Sequence, residues 1–433
     1  MKLLFVRRAH DLLSRCIESK YFLPCCIAVA MLLRVAWVAA IPNRQISDFA
    51  KYEALGREIA AGHGYSIDGR PTAYFPIGYP LFLGAVFYLF DGSELAAKLA
   101  NVLLYLGIIG FTFKLTETLF RSRFIAGLAA LMLTFEPNHV AFSSVLLSET
   151  LFTFVTLMGA WLLIRWGSRA RAVLLAGFVF GIASLVRPLG SALMIVVFAA
   201  AWWNHRDLLR RWRIVAVTSA LVVGHLLALG PYALRNRAVM HELSFVPLNG
   251  GINLVLGNSP YASGTYPTDA EVNRQVRSLI PRSDDEVADN KALTRYATDY
   301  IVRHPLATLK LWPMKILYLY AFELDGIHRN LDGLPKGSRL GWLLPVTQAY
   351  YSLLAAAFLL AAFLRLRIRD DSSPLRRLPV VGFWIVIAWT FIHMVYLGTS
   401  RYHYPMVFWI AMYAAALSNH WMTRRLARDD VRA

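Results

Sequence analysis

The stretch from residue 47 to residue 80 is polar, aromatic and interrupted by glycines, and it follows directly on the first apolar run. Asp48 begins a predicted amphipathic helix that ends near Gly62. A carboxylate at the edge of a membrane span is costly to desolvate, so it is a candidate to meet a substrate. Asp48 could act as general base toward an acceptor hydroxyl or amine, or orient an acceptor that is already a phosphate. The alternative is an N-cap role, which Ser47 could fill equally well.

Charged residues at the ends of other apolar runs could bind an anion. Glu149 lies on the same predicted side of the membrane as Asp48, either as a site residue or as an ordinary acid of a first helical turn. Arg187 lies at a predicted turn, where it could snorkel or meet a lipid phosphate. Arg235 and Arg401 lie at outer membrane edges, where positive-inside logic does not require arginine. We therefore expect both guanidinium groups to converge on the phosphate of a membrane-anchored substrate, with Tyr402 as a hydroxyl donor.

Composition indicates which elements must position these residues. The chain has 433 residues, of which 57% are hydrophobic and only 17% are charged, and its mean hydropathy is +0.47. Soluble domains carry about a quarter charged residues. The apolar residues also form uninterrupted runs near the length of a membrane span. The sequence therefore predicts an all-α polytopic membrane protein.

The net charge of +18 does not indicate a nucleic-acid partner. The arginines cluster in short blocks between apolar runs, as the positive-inside rule requires. The cysteines offer no metal spacing and no disulfide framework. Three histidines in or near the loops share no helix face, so neither a metal site nor a cofactor is predicted. These histidines are His63, His304 and His403.

The arginine blocks predict ten crossings, with twelve as the upper limit, and a cytoplasmic amino terminus. The first apolar run is longer than the core of a typical signal peptide, so an uncleaved span is favoured over a cleaved leader. Two further stretches, 79–90 and 305–322, are assigned to the outer interface. The predicted spans are residues 22–41, 95–119, 124–141, 147–165, 172–186, 188–203, 213–231, 341–364, 379–397 and 402–420.

Three regions follow from this topology. Residues 1–231 form an N-terminal transmembrane module with a first outer loop at 42–78. Residues 232–340 form an outer loop region with an interfacial helix, and its charges are balanced, as the positive-inside rule allows for a long outer loop. Residues 341–433 form a C-terminal transmembrane module.

Several short motifs, taken together and in order, resemble the GT-C glycosyltransferases. The resemblance covers roughly residues 20 to 420 and is to the branch (glycosyltransferase family 39-like) related to protein O-mannosyltransferases and bacterial lipid A aminoarabinose transferases. One departure is that the family's first-loop motif often has two adjacent acids, whereas Phe49 follows Asp48 here. The matching motifs are Asp48 with Tyr52, residues 60–65, Pro76-Ile77-Gly78-Tyr79-Pro80, Leu147-Ser148-Glu149, Val186-Arg187-Pro188, Arg235-Asn236, residues 251–260, His304-Pro305 and Arg401-Tyr402.

The resemblance implies a GT-C type helical bundle of about 10–12 spans and a reaction at the outer face of the membrane. A sugar would pass, with inversion, from a polyprenyl-phosphate carrier to a lipid, glycan or protein acceptor. The protein would lie among the lipids of a bacterial inner membrane, with a periplasmic active site. Asp48 is then the expected catalytic residue. The expected substrate-binding residues are Lys51, Tyr52, Glu149, Arg187, Arg235, Asn236, Arg401 and Tyr402.

Two other functions stay open at this point. A transporter or flippase of a lipid-linked intermediate would have inverted repeats and polar residues near the membrane midplane, and neither is evident in the sequence. A polymerase or ligase that uses a lipid-diphosphate donor would share the outer loops and the basic edge residues. Only the family motifs distinguish that function from sugar transfer out of a lipid-monophosphate donor.

Overall fold

The structure, a computed structural model, describes residues 2–41, 43–205, 211–267, 274–275, 278–279, 283, 285–334 and 339–430. Helices make up most of these residues, and the only strands among them form one short hairpin. The prediction of an all-α polytopic membrane protein is confirmed.

The first half of the chain alternates long apolar helices with the elements of the first loop. The hairpin strands are β1 (Ser66–Ile67) and β2 (Arg70–Pro71). The helices are α1 (Lys2–Glu18), α2 (Phe22–Ala40), α3 (Ser47–Ala60), α4 (Gly78–Leu89), α5 (Glu94–Phe120), α6 (Arg123–Thr134), α7 (Pro137–Ala141), α8 (Ser148–Trp166), α9 (Ala170–Val186), α10 (Leu189–His205) and α11 (Arg211–Val239).

The second half begins with shorter helices and ends with three apolar ones. Single turns of 3₁₀-helix lie at Phe142–Ser144, Arg339–Trp342 and Ser400–His403. The helices are α12 (Gly250–Gly257), α13 (Glu286–Arg303), α14 (Pro305–Tyr320), α15 (Asp325–Gly333), α16 (Leu343–Arg367), α17 (Val381–Val395) and α18 (Tyr404–Asp430).

Helices occur at all ten predicted span positions, but the number of crossings is not confirmed. Among the described residues, four helices are long and apolar enough to cross a membrane, namely α2, α5, α16 and most of α11. A bent pair, α6 with the segment 137–144, would bring the number to five. Helix α11 also continues to Val239 with Pro231 inside it, past the end predicted at residue 231.

The helical segment at the predicted span 124–141 is bent. Helix α6 ends at Thr134, and the chain bends by 52° before it continues as α7. Pro137 explains the bend, because proline donates no backbone hydrogen bond and disfavours helical geometry in the preceding residue. That residue, Glu136, is an extended N-cap whose carboxylate accepts from the backbone N–H groups of Asn138 and His139.

The first loop folds as predicted into an amphipathic helix and a glycine-rich turn. Helix α3 spans Ser47–Ala60 and packs against α4, where Gly56 and Gly84 let the two backbones approach closely. The two turn residues of the hairpin are Asp68 and Gly69, and both have positive φ. A two-residue turn with these φ angles matches the right-handed twist of the flanking strands.

Close packing of α9 on α11 aligns the helices that carry two of the predicted arginines. A Cβ on Gly177 would overlap the carbonyl oxygen of Leu221, and a Cβ on Gly224 would overlap that of Leu174. Small residues allow such close approach between membrane helices. Arg187 follows the last residue of α9, and Arg235 lies in the last turns of α11. The packing of these two helices therefore fixes the backbone positions of both arginines.

Candidate functional site

A cavity of about 790 Å³ lies between the first loop, the segment around α12 and the chain on either side of the 3₁₀ turn at Ser400–His403. Asp48 is the only acidic side chain among its described lining residues. Four basic side chains line it, so the cavity favours an anion. They are Lys51, Arg187, Arg329 and Arg401.

Glu149 does not line the cavity, but it pairs with two of these cations. It lies in the first turn of α8 and is only 1% exposed. Its Oε1 contacts Arg187 Nη1 directly and lies 2.8 Å from Arg401 Nε. A buried charge requires such pairing, and two guanidinium groups on one carboxylate leave one positive charge over. Glu149 therefore holds Arg187 and Arg401 at the wall and is not an ordinary exposed acid of a helix start.

Asp48 faces the cavity and does not cap its own helix. The N-cap residue of α3 is Ile46, and no side chain caps this helix. Oδ2 of Asp48 instead lies 3.5 Å from both Nη1 and Nη2 of Arg401, a residue 353 positions away in sequence. Hydrogen bonds of this length are weak. Because the carboxylate is also 36% exposed, its oxygens remain accessible to a ligand.

Lys51 and Tyr52 complete the wall contributed by α3. The Tyr52 ring packs edge-on against the rings of Phe75 and Tyr79, with centroids 5.7 and 5.5 Å away. Burial raises the pKa of Tyr52 to about 12, so its hydroxyl stays protonated and can donate a hydrogen bond. Lys51 is exposed, with Nζ 5.5 Å from the centroid of the Phe75 ring.

Tyr402 lies beside the two paired arginines. The guanidinium carbons of Arg187 and Arg401 are 5.0 and 5.6 Å from its ring centroid. Its hydroxyl is 2.6 Å from that of Tyr266, a cavity residue on which the sequence analysis placed no role. The two hydroxyls form a polar pair next to Arg187 and Arg401.

Arg235 and Asn236 do not line this cavity. Arg235 donates hydrogen bonds to the carbonyl oxygens of Tyr65, at 2.9 Å, and Thr72, at 2.7 Å. Asn236 is 1% exposed and donates to the carbonyl oxygen of Ser244. The expected convergence of Arg235 and Arg401 on one phosphate is therefore not seen. Arg235 ties the hairpin of the first loop to α11.

Replacing Arg235 by lysine is expected to lower the free energy of unfolding by about 1–3 kcal/mol, because the bidentate contact with two carbonyl groups is lost. Arg237→Lys is the matched control, since Arg237 is exposed and has only a 3.5 Å contact to the His241 carbonyl. Thermal unfolding of the purified proteins in detergent measures the difference. Equal unfolding temperatures for the two variants would contradict a bracing role for Arg235.

Arg329 is a cavity residue that the sequence analysis missed. It lies on α15, within the predicted outer loop region, with its guanidinium carbon 5.9 Å from the centroid of the Phe49 ring. Its Nη1 is 3.8 Å from Oδ2 of the exposed Asp332. No local pattern links residue 329 to the first loop, so only the folded chain reveals that both line one cavity.

The helices define an all-α membrane protein, and its cavity is lined by more basic than acidic side chains. The sequence family described as dolichyl-phosphate-mannose-protein mannosyltransferase matches residues 75–227. A comparison with curated proteins found no match. Over residues 75–227, the predicted resemblance to protein mannosyltransferases is confirmed.

Solved oligosaccharyltransferase structures share the fold at low sequence identity. The apo oligosaccharyltransferase of Archaeoglobus fulgidus superposes with a TM-score of 0.54 and 14% identity, over 93% of this chain and 50% of that one. The same organism's AglB, in complex with an inhibitory peptide and a dolichol-phosphate, gives 0.53 and 14% over 92% and 50%. ArnT from Cupriavidus metallidurans bound to undecaprenyl phosphate gives 0.43 and 16% over 92% and 78%. This chain spans about half the length of the oligosaccharyltransferases.

Proposed function

We propose that this protein transfers a sugar from a polyprenyl-phosphate donor to an acceptor at the outer face of a bacterial inner membrane. The observation that carries the proposal is the contact of Asp48 with Arg401 at the wall of a cavity lined by four cations and one acid. The family description names a dolichyl-phosphate sugar donor, and AglB was solved with a dolichol-phosphate. Both support a lipid monophosphate as the anion.

The basic side chains suit the phosphate that leaves. As the bond between the sugar and the phosphate breaks, the phosphate gains negative charge. Contacts with cations then strengthen in the transition state and raise turnover as well as affinity. Arg187 and Arg401 are pre-positioned by Glu149, whereas Lys51 and Arg329 have no such buried partner and supply the remaining charge.

Asp48 would accept the proton of the attacking acceptor group. The acceptor oxygen or nitrogen forms a bond to the anomeric carbon, its proton passes to the Asp48 carboxylate, and the electron pair of the broken bond leaves with the polyprenyl phosphate. One displacement of this kind inverts the anomeric centre. If the acceptor is itself a phosphate, no proton needs to move, and Asp48 would orient it.

The cavity also offers an apolar wall for the first part of a lipid tail. Ligand pockets of this kind are mostly apolar with a few convergent polar groups. Here the apolar residues come from the start of α10, from α12, and from the last turn of α17 and the segment between it and the 3₁₀ turn. The apolar lining includes Leu189, Ile252, Leu256, Ile392 and Leu397.

The function is tested with purified full-length protein in lipid nanodiscs and radiolabelled polyprenyl-phosphate sugars. Lipid, glycan and peptide acceptors are supplied in parallel. We expect release of free polyprenyl phosphate together with labelled acceptor. Release from polyprenyl-diphosphate sugars alone would instead show a polymerase or ligase. Vectorial movement of donor across the bilayer without bond cleavage would show a flippase.

Replacing Arg401 by lysine is expected to lower turnover by roughly one to two decades, because the charge remains but the fork that contacts Glu149 and Asp48 is lost. Initial rates with the lipid-linked donor measure the effect. Arg237→Lys again serves as control, since Arg237 does not line the cavity. Full activity of Arg401→Lys would show that lysine's point charge is sufficient at this position.

The outer-face assignment predicts which loops an impermeant thiol reagent can reach. In a chain whose three cysteines are replaced, a cysteine at position 270 should be labelled from outside and one at position 208 should not. Both positions lie outside the described residues. Residues 42–78 and 232–340 are expected to be extracytoplasmic and the 206–213 loop cytoplasmic. Labelling at 208 but not at 270 in intact cells would invert this topology.

A further inference from the structure

A second polar cluster is buried inside the bundle and does not line the cavity. Its four members are Glu136, His139, Glu323 and His403, and each is at most 2% exposed. They come from three distant parts of the chain: the bend between α6 and α7, the segment before α15, and the end of the 3₁₀ turn that carries Arg401. Ionisable groups buried in this way need a partner or a function.

The cluster converges on the carboxylate of Glu323. His139 Nε2 lies 3.9 Å from Glu323 Oε1, and His403 Nε2 contacts Glu323 Oε2 directly. Glu136 Oε2 is 3.5 Å from His139 Nδ1. One ligand atom from each of Glu136, His139 and Glu323 lies within 4.8 Å of the others. The Glu323 carboxylate is thus within reach of both imidazole Nε2 atoms.

The hydrogen-bond partners of the two imidazoles indicate where their protons lie. The Tyr105 hydroxyl donates to the Leu133 carbonyl oxygen at 3.0 Å, so its 3.1 Å contact with His139 Nδ1 is one in which the imidazole donates. His403 Nδ1 faces the Leu319 carbonyl oxygen, which can only accept.

The Nε2 atoms of both rings are therefore left for another partner. Neither makes a hydrogen bond of acceptable geometry, although both are buried. A neutral imidazole presents a lone pair at this atom, and here it would face carboxylate oxygens. A lone pair that opposes a carboxylate repels it unless a proton or a metal cation lies between them.

We propose that His139 Nε2, His403 Nε2 and the carboxylate of Glu323 bind a divalent transition-metal ion of the zinc type. Imidazole and carboxylate groups are zinc ligands with bonds of about 2.0–2.2 Å, which places neighbouring tetrahedral ligands roughly 3.3–3.5 Å apart. The 3.9 Å between His139 Nε2 and Glu323 Oε1 needs only a small movement to reach this geometry, and His403 Nε2 would move away from Glu323 Oε2 to admit the ion.

The groups around the cluster have the arrangement that holds metal ligands in place. Metal-bound histidines usually donate their other ring N–H to a carbonyl or similar acceptor, as His403 does to Leu319. Asn138 Nδ2 donates to Glu323 Oε1 at 2.5 Å and orients that carboxylate. The metal would replace any proton shared between His403 and Glu323, because binding requires deprotonated ligands.

The metal would act by positioning and would not touch the substrate. His403 lies in the same 3₁₀ turn as Arg401, and Glu323 immediately precedes the helix that carries Arg329. One ion would therefore join two segments that deliver cations to the cavity. The inference does not depend on sugar transfer, since metal content can be measured without activity.

The test uses full-length protein without a histidine tag. The protein is incubated with zinc chloride, freed of loose metal by gel filtration and analysed by mass spectrometry of the elements. We expect about one zinc ion per wild-type chain and at least a roughly tenfold lower content in Glu323→Gln and His139→Asn. His225→Asn is the matched control, because His225 is a buried histidine that contacts Ser191 instead of this cluster.

Cobalt keeps the proposal testable if the variants do not fold. Wild-type protein loaded with Co²⁺ should show the intense d–d absorption of a tetrahedral ion, and added zinc should abolish that signal and raise the unfolding temperature. The proposal is overturned if the wild type retains neither metal, or if Glu323→Gln and His139→Asn fold and retain as much zinc as the control.

Discussion

Asp48→Asn is expected to abolish sugar transfer while the protein unfolds at the wild-type temperature. A general base contributes roughly 10²–10⁴-fold to a rate, and asparagine cannot accept the proton of the acceptor. Stability should hardly change, because Asp48 is partly exposed, its contacts with Arg401 are long, and it caps no helix. Initial rates and thermal unfolding of the same preparation separate the two effects.

Glu53→Gln is the matched control for Asp48→Asn. Glu53 lies on the same helix, but its carboxylate pairs with Arg57 and does not line the cavity. The control should transfer sugar at the wild-type rate. If Asp48→Asn also does so with an acceptor that must lose a proton, Asp48 is not the general base. If it is active only with a phosphate acceptor, Asp48 orients that acceptor.

Glu149→Gln is expected to reduce both activity and stability. The substitution leaves the guanidinium groups of Arg187 and Arg401 without their buried partner and lets them repel each other. Removing one member of a buried ion pair typically costs about 3–5 kcal/mol in the free energy of unfolding. Transfer should fall as well, because the two cations at the cavity wall lose their fixed positions. Thermal unfolding and initial rates measure the two losses.

Two further variants distinguish the loss of this buried pairing from the loss of a negative charge in general. Glu117→Gln removes an acid that is 43% exposed and pairs with Arg123 at 3.5 Å, so it should cost less than about 1 kcal/mol. Adding Arg187→Met to Glu149→Gln should restore part of the lost stability, since it removes one of the two unpaired charges. Wild-type stability of Glu149→Gln would show that Glu149 does not hold the arginines.

Local sequence patterns determined the helices of this protein and the segments that build its cavity. Apolar runs predicted helices at ten positions where the structure has them, and the glycines near residue 62 predicted the end of α3. Of the two arginines at outer membrane edges that the positive-inside rule does not require, Arg401 lines the cavity and Arg235 does not. These predictions work because hydrophobic periodicity, glycine turns and charge placement act within a few residues of the chain.

The tertiary structure alone decided which charges meet. Glu149 pairs with two arginines from later helices, and Arg235 turns away to two carbonyl groups. Arg329 and Tyr266 reach the cavity from a region where no local pattern marks them.

The same holds for the buried cluster. The sequence analysis considered only whether His63, His304 and His403 share a helix face, and it did not link His403 to Glu323 or Glu323 to His139, which the structure brings together. Sequence spacing determines which residues share a face of one helix. Contacts between helices depend on where each helix ends, bends and packs, and those positions are fixed by close packing over the whole bundle.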